Sequence, residues 1–250
     1  MKLFRILFFR ILLFSLLLSF SFSCLLFLSS CRRETSIENK LENAIAHQSR
    51  EDETKVEDDT FFSHLNKMNI PEHFRLKEII VGNLAAPKTL IVYFSYTCPH
   101  CREFHRNEYP KFKKLYVDTG KIKVIFRNYI DDQGAYEAAQ IIRCLCKDSV
   151  EKYEKLSNLV LSKQSDWLKS QDPPKFLIQI FTKNGTNENE ARACLKRTDI
   201  GAGLMLEQQR AMRDLHLISM PSFIADGGKI HIGAVSCSEL AQLCGLEKGK

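Results

Sequence analysis

Two cysteines, in the order Cys98-Pro99-His100-Cys101, stand directly between an uncharged β-branched run and an amphipathic stretch that reaches about Asp118. The run, Thr89–Phe94 (TLIVYF), predicts a strand buried on both faces. Pro99 suits the first turn of a helix, where its missing N–H costs no hydrogen bond. The chain must therefore fold so that a reactive pair sits where a buried strand becomes a helix. At that place unpaired backbone N–H groups and the helix dipole favour negative charge, and hence thiolate at Cys98. Cys101 falls one turn deeper on the same side, and His100 adds a positive charge and a donor beside the Cys98 sulfur. A stabilised thiolate favours the dithiol and makes the disulfide a ready oxidant. Cys98 is then the exposed attacking and leaving sulfur, and Cys101 the buried resolving one. The other use of such a pair, half of a zinc site, wants a second close Cys or His pair. Cys144-Leu145-Cys146 has the wrong spacing for it, so no metal is expected.

The rest of the chain frames this turn. Lys77–Val81 reads as a short strand, Lys121–Arg127 (KIKVIFR) as another, and Ser222–Ile224 and Lys229–Ile232 as a hairpin around Asp226-Gly227-Gly228. From Gly134 to about Leu215 the pattern is helical, broken at Pro173-Pro174 and Asn184-Gly185, and Ser238–Leu246 closes with a short helix. The order β-β-α-β, helical block, β-β-α describes an α/β sheet interrupted by an insertion.

The N-terminus is of a different kind. Lys2, Arg5 and Arg10 precede the uncharged run Ile11–Ser30, the pattern of an export signal. It ends Leu28-Ser29-Ser30-Cys31, which resembles the lipobox of bacterial lipoproteins and implies cleavage before Cys31 and lipidation of its thiol. Twenty uncharged residues can also remain as an anchor helix; either outcome tethers the remainder outside the cytoplasm. Residues 32–60 carry nine acidic and five basic side chains, without Gly or Pro, and read as a solvated spacer. The expected organisation is a signal peptide over 1–30, an anchor site and charged linker over 31–75, and a folded domain over 76–250. Three of the charges in the net +6 lie in the leader, and no dense basic stripe with interleaved aromatics appears, so nucleic acid is not an expected partner.

The CPHC turn, the opening IIVGNLAAPKTLIVYFSYTCPHC, the segment GKIKVIFRNYIDDQGAYEAAQIIRC, the RACL at Arg192–Leu195 and the later Met220-Pro221-Ser222-Phe223-Ile224 together resemble the DsbA family of bacterial cell-envelope oxidoreductases. The resemblance runs from about Lys77 to Leu246. It implies a thioredoxin-like fold with a helical insertion over about 134–216, between the central strand and the cis-proline hairpin. It implies catalysis by Cys98, Pro99, His100 and Cys101, with a cis Pro221 facing them and Met220 pairing with an extended substrate segment. No bound cofactor is implied, since the dithiol is the redox group. The implied partners are exported proteins with free thiols, a membrane reoxidant of the DsbB type, and the membrane itself through the N-terminal lipid on the periplasmic side. A disulfide between Cys144 and Cys194 is also implied. Two positions depart from the family pattern. Val92 stands where many members carry an acid six residues before the first cysteine, and Met220 where Val or Thr is usual. A reductase or isomerase on the same fold, and a non-catalytic tethered peptide-binding protein, are the alternative functions.

Five cysteines remain outside the leader, the lipidation site Cys31 and the CPHC turn, and in an exported chain pairing is the default. Cys237 and Cys244 can meet only if Cys237 precedes the last helix, and Cys146 is the expected unpaired thiol. Glu103, His105 and Arg106 read as solvated residues of the first helix. His47, His64, His73, His216 and His231 read as surface or packing residues, and Trp167 as core.

Overall fold

The computed structural model describes residues 69–246. The expected export segment, the lipidation site Cys31, His47, His64 and most of the charged linker lie outside the described residues.

Five strands form one mixed sheet: β1 (Ile79–Val81), β2 (Thr89–Phe94), β3 (Lys123–Asn128), β4 (Ser222–Ala225) and β5 (Lys229–Ile232), in the order β1-β3-β2-β4-β5. The central β2 runs parallel to β3 and antiparallel to β4, with Val92 opposite Phe126 and Phe223. Leu90, Val92 and Phe94 are fully buried, as the uncharged run requires. The β4–β5 turn passes through Gly227 and Gly228 at φ 78° and 76°, a region that glycine enters without a Cβ clash.

The first helix is not one regular element. It consists of α1 (Pro99–Glu103), a π-helical turn (Phe104–Glu108), α2 (Tyr109–Phe112) and a second π-helical turn (Lys113–Val117). Pro110 has no N–H for an α-helical bond, and a π-turn accommodates the break by adding a residue to the turn. The extra residue carries both Phe104 and His105 inward. His105 is therefore buried, against the solvated position expected of it, with its ring centroid 4.6 Å from Phe94 and 5.2 Å from Phe126. Burial pushes its pKa down to about 3 and keeps it neutral.

Between β3 and β4 lies the helical block: α3 (Gln133–Cys146), α4 (Val150–Ser162), α5 (Gln164–Leu168), α6 (Pro173–Lys183), α7 (Glu188–Cys194) and α8 (Thr198–Leu215). Asp132, Ser149, Asp172 and Asn187 cap α3, α4, α6 and α7 by accepting from first-turn N–H groups. Trp167 is fully buried and donates to the Val160 carbonyl at 3.2 Å. Cys144 of α3 is joined to Cys194 of α7. The closing helix is α9 (Cys237–Leu243), and a capping box at Ser236 and Glu239 fixes its start.

The last residues of the stretch expected as linker, 31–75, make contacts with the helical block. Glu72 pairs with Arg210 of α8 at 2.5 Å. At Gly203 the chain passes so close that a Cβ there would lie 2.5 Å from the Phe74 carbonyl oxygen. Gly201-Ala202-Gly203, which carries no phosphate-loop signature, is thus a contact surface for the incoming chain and for Tyr136.

Candidate active site

The site is built where β2 runs out. After Phe94 the segment Ser95-Tyr96-Thr97 leads into Cys98, which is extended (φ −74°, ψ 121°) and caps α1, with Pro99 in the first turn. Two side chains of the helical block hold this segment. The Tyr96 hydroxyl meets Ser157 Oγ of α4 at 2.7 Å, and the buried Gln164 amide of α5 donates to the carbonyls of Tyr96 and Cys98 at 2.8 and 3.0 Å. The helical block thereby fixes the turn that carries the first cysteine.

Cys98 is partly exposed and Cys101 fully buried, and both are thiols. The Cys98 pKa is lowered to about 6. The largest cause is a hydrogen bond from the Cys101 thiol, helped by the backbone N–H groups of Cys101 and His100 and opposed by partial burial. Cys101 moves the opposite way: burial pushes its thiol well above the ordinary range, and the Cys98 charge adds to this. Two sulfurs in one turn therefore have opposite preferences. The exposed one ionises and the buried one keeps its proton. His100 contributes through its backbone amide, while its imidazole is exposed.

Opposite the pair lies the loop before β4. The Met220–Pro221 peptide is cis, and the Cys98 thiol donates to the Met220 carbonyl at 3.4 Å. The loop is tied down by Gly233 N–H donating to the Pro221 carbonyl at 2.8 Å and by Ser222 Oγ donating to the Ser219 carbonyl at 2.6 Å. Cys98, Pro99, His100, Cys101, Met220 and Pro221 thus meet at one end of the sheet. Cys144 and Cys194 lie apart in the helical block, and Cys31 is outside the described residues.

Among the described residues Cys146, Cys237 and Cys244 are also thiols. Pairing of Cys237 with Cys244 is ruled out by their placement, one starting α9 and the other capping its end. Seven helical residues separate them by about 10 Å along the axis, beyond disulfide reach.

Sequence reasoning did not single out three residues that hold the site: Ser95, Gln164 and Asp131. Ser95 N–H donates to Cys101 Sγ at 3.5 Å, while its hydroxyl donates to Asp131 Oδ1 at 2.5 Å. Thr97 Oγ1 donates to the same carboxylate oxygen at 3.0 Å. Val92, at the position of the family's acid, is buried in the sheet.

The family model described as thioredoxin matches residues 75–243. A chain of Rickettsia conorii, provisionally named a protein-disulfide oxidoreductase, is 31% identical over 150 residues, which is 60% of this chain and 53% of that one. Its counterpart in Rickettsia prowazekii is 28% identical over 189 residues, covering 76% and 66%. The chain thus spans about half to two thirds of the length of these curated relatives. Among solved structures, alpha-DsbA1 of Wolbachia pipientis superposes with a TM-score of 0.62 at 25% identity, over 72% of this chain and 94% of that one. Oxidised BdbD of Bacillus subtilis shares the fold, with a TM-score of 0.60 at 18% identity over 67% and 91%. The matched region takes in the sheet, the helical block and the paired sulfurs alike, and the chain belongs to the thioredoxin family, with the DsbA-like arrangement.

Proposed function

We propose that this chain is a cell-envelope thiol:disulfide oxidoreductase that introduces disulfide bonds into exported proteins. One observation carries the reading. Cys98 Sγ lies at a helix start, is open to solvent, is supplied with hydrogen-bond donors that favour its anion, and faces the Met220 carbonyl. Starting from the oxidised pair, a substrate thiolate attacks Cys98 Sγ and the electron pair of the Cys98–Cys101 bond passes to Cys101, which is protonated. A second substrate thiolate attacks the substrate sulfur of the mixed disulfide, a substrate disulfide forms, and Cys98 leaves as its stabilised thiolate. In the mixed disulfide Cys98 has no thiol proton to donate. The Met220 carbonyl is then free to accept from an extended substrate backbone, which is strand-type recognition. A membrane partner of the DsbB type reoxidises the pair.

The direction of transfer is tested with a reduced, scrambled test protein and a stoichiometric amount of the oxidised chain. The expected result is loss of test-protein thiols with recovery of its native disulfides. If the test-protein thiols persist in this mixture, and the reduced chain mixed with disulfide-bonded test protein ends oxidised with the test protein reduced, the oxidase reading is replaced by that of a reductase.

The basic and apolar N-terminus ending at Cys31 supports a lipid tether on the periplasmic side. Cells fed a labelled fatty acid should incorporate it into the wild-type chain, and Cys31→Ser should lose the label and leave the membrane fraction. Retention of both by Cys31→Ser would replace the lipid with an uncleaved anchor helix.

A further inference from the structure

We propose that Asp131 is a positioning residue that moderates the oxidising strength of the Cys98–Cys101 pair, through a carboxylate that the loop after β3 brings to Ser95 and Thr97 on the approach to the sulfurs. This rests on the reading of the pair as the redox centre and names what regulates it.

The geometry is short and closed. Ser95 reaches in two directions: its N–H donates to Cys101 Sγ at 3.5 Å and its hydroxyl to Asp131 Oδ1 at 2.5 Å. Thr97, one residue before Cys98, donates to the same oxygen at 3.0 Å, and its hydroxyl lies 3.0 Å from Ser95 Oγ. The carboxylate is therefore fixed to the two residues that flank Tyr96 on the approach to the pair. Asp131 as a whole is exposed, so it exchanges protons with solvent, although its carboxyl is packed into the turn. That packing holds its pKa above the ordinary carboxylate range, with the adjacent Asp132 pushing the same way and the Ser95 and Thr97 hydroxyls pulling against it. The other titratable groups that feel its charge are Cys98, Cys101 and Tyr129, and at each the anion of Asp131 opposes loss of a proton.

The physical consequence has a definite sign. An ionised Asp131 makes the Cys98 thiolate less favourable, so it weakens the preference for the dithiol and makes the disulfide a milder oxidant. A protonated Asp131 releases this restraint. No electron passes through Asp131; it acts on the reduced state by charge alone.

The test compares wild type with Asp131→Asn, Asp131→Glu and Ser95→Ala. Two quantities are read on each folded protein: the thiolate absorbance of Cys98 against pH, and the equilibrium with glutathione. Asp131→Asn keeps the shape and can still accept from Ser95. It should lower the Cys98 titration by roughly half a pH unit and shift the glutathione equilibrium about threefold toward the dithiol. Asp131→Glu should restore the wild-type values. Ser95→Ala, which loosens the carboxylate, should move both quantities in the same direction as Asp131→Asn by less. The difference between wild type and Asp131→Asn should vanish in acid, where Asp131 is protonated. A change in thermal stability with the titration and the equilibrium unmoved would reduce Asp131 to a structural residue and overturn the proposal; so would an upward shift in Asp131→Asn. The two failures are distinguishable. A wild-type Cys98 that titrates like a free thiol sinks the redox reading, whereas a low wild-type value that persists unchanged in Asp131→Asn sinks only the role of Asp131.

Discussion

Cys98→Ser is expected to abolish oxidation of a reduced test protein, leaving only the rate of uncatalysed air or glutathione oxidation. The serine hydroxyl does not ionise near neutral pH and cannot form a sulfur–sulfur bond, so both attack at position 98 and departure from it are lost. Cys101→Ser is expected to fail differently. It also begins without a disulfide to donate, yet its Cys98 remains exposed and keeps its backbone N–H donors. Offered a disulfide-containing peptide, this variant should accumulate a one-to-one mixed disulfide through Cys98, because the buried partner that would release it is gone. Non-reducing gels and intact mass read the adduct directly. An active Cys98→Ser protein, or an adduct on Cys146, Cys237 or Cys244 in its place, would move the chemistry away from the CPHC turn.

Removal of the Cys144–Cys194 bond is the second change with a large expected effect, and here the effect falls on stability. The cysteines are 50 residues apart in sequence and join α3 to α7. Closing a loop of that length restricts the unfolded chain by an amount worth about 4 kcal/mol in the chain-entropy model. The double variant Cys144→Ala/Cys194→Ala should therefore unfold at clearly lower urea concentration, with its Cys98 titration unchanged, since neither residue touches the CPHC turn. A midpoint equal to that of wild type would mean that the bond is absent from the folded protein in solution. A displaced Cys98 titration would mean that the helical block transmits strain to the turn through Gln164, the residue of α5 that holds the Tyr96 and Cys98 carbonyls.

What was legible in the sequence was local. TLIVYF announces a buried strand because the run itself is β-branched and aromatic with no charge, and Cys98-Pro99 announces a helix start because proline tolerates only a few positions. The Asp226-Gly227-Gly228 turn is readable for the same reason, a backbone demand met by glycine. What escaped was non-local. Asp131 lies 36 residues from Ser95, and Gln164 lies 66 residues from Cys98; a serine, an aspartate or a glutamine in isolation gives no sign that a distant loop will meet it. The burial of His105 escaped because a regular 3.6-residue period puts it on the outside, and only the π-helical turn ahead of Pro110 adds the residue that turns it inward. The contact of Glu72 with Arg210 escaped because it too pairs residues far apart in the sequence.

Disulfide exchange at this turn requires the exposed sulfur of the pair to be an anion at neutral pH and the buried one to keep its proton. Thiolate absorbance of the reduced protein, followed against pH and compared with Cys98→Ser, measures this directly. Against an ordinary thiol value of 9.0, Cys98 is expected to titrate near 6, with Cys101 remaining protonated well above that ordinary value. The linked stability has a fixed sign. The folded-state pKa is depressed, so the stabilisation of the reduced protein by Cys98 is fully present above pH 9 and is lost as the pH falls through 6. A single thiolate step near 6 that disappears in Cys98→Ser is the predicted result; a first ionisation near 9, or a low step that survives in Cys98→Ser, would contradict it.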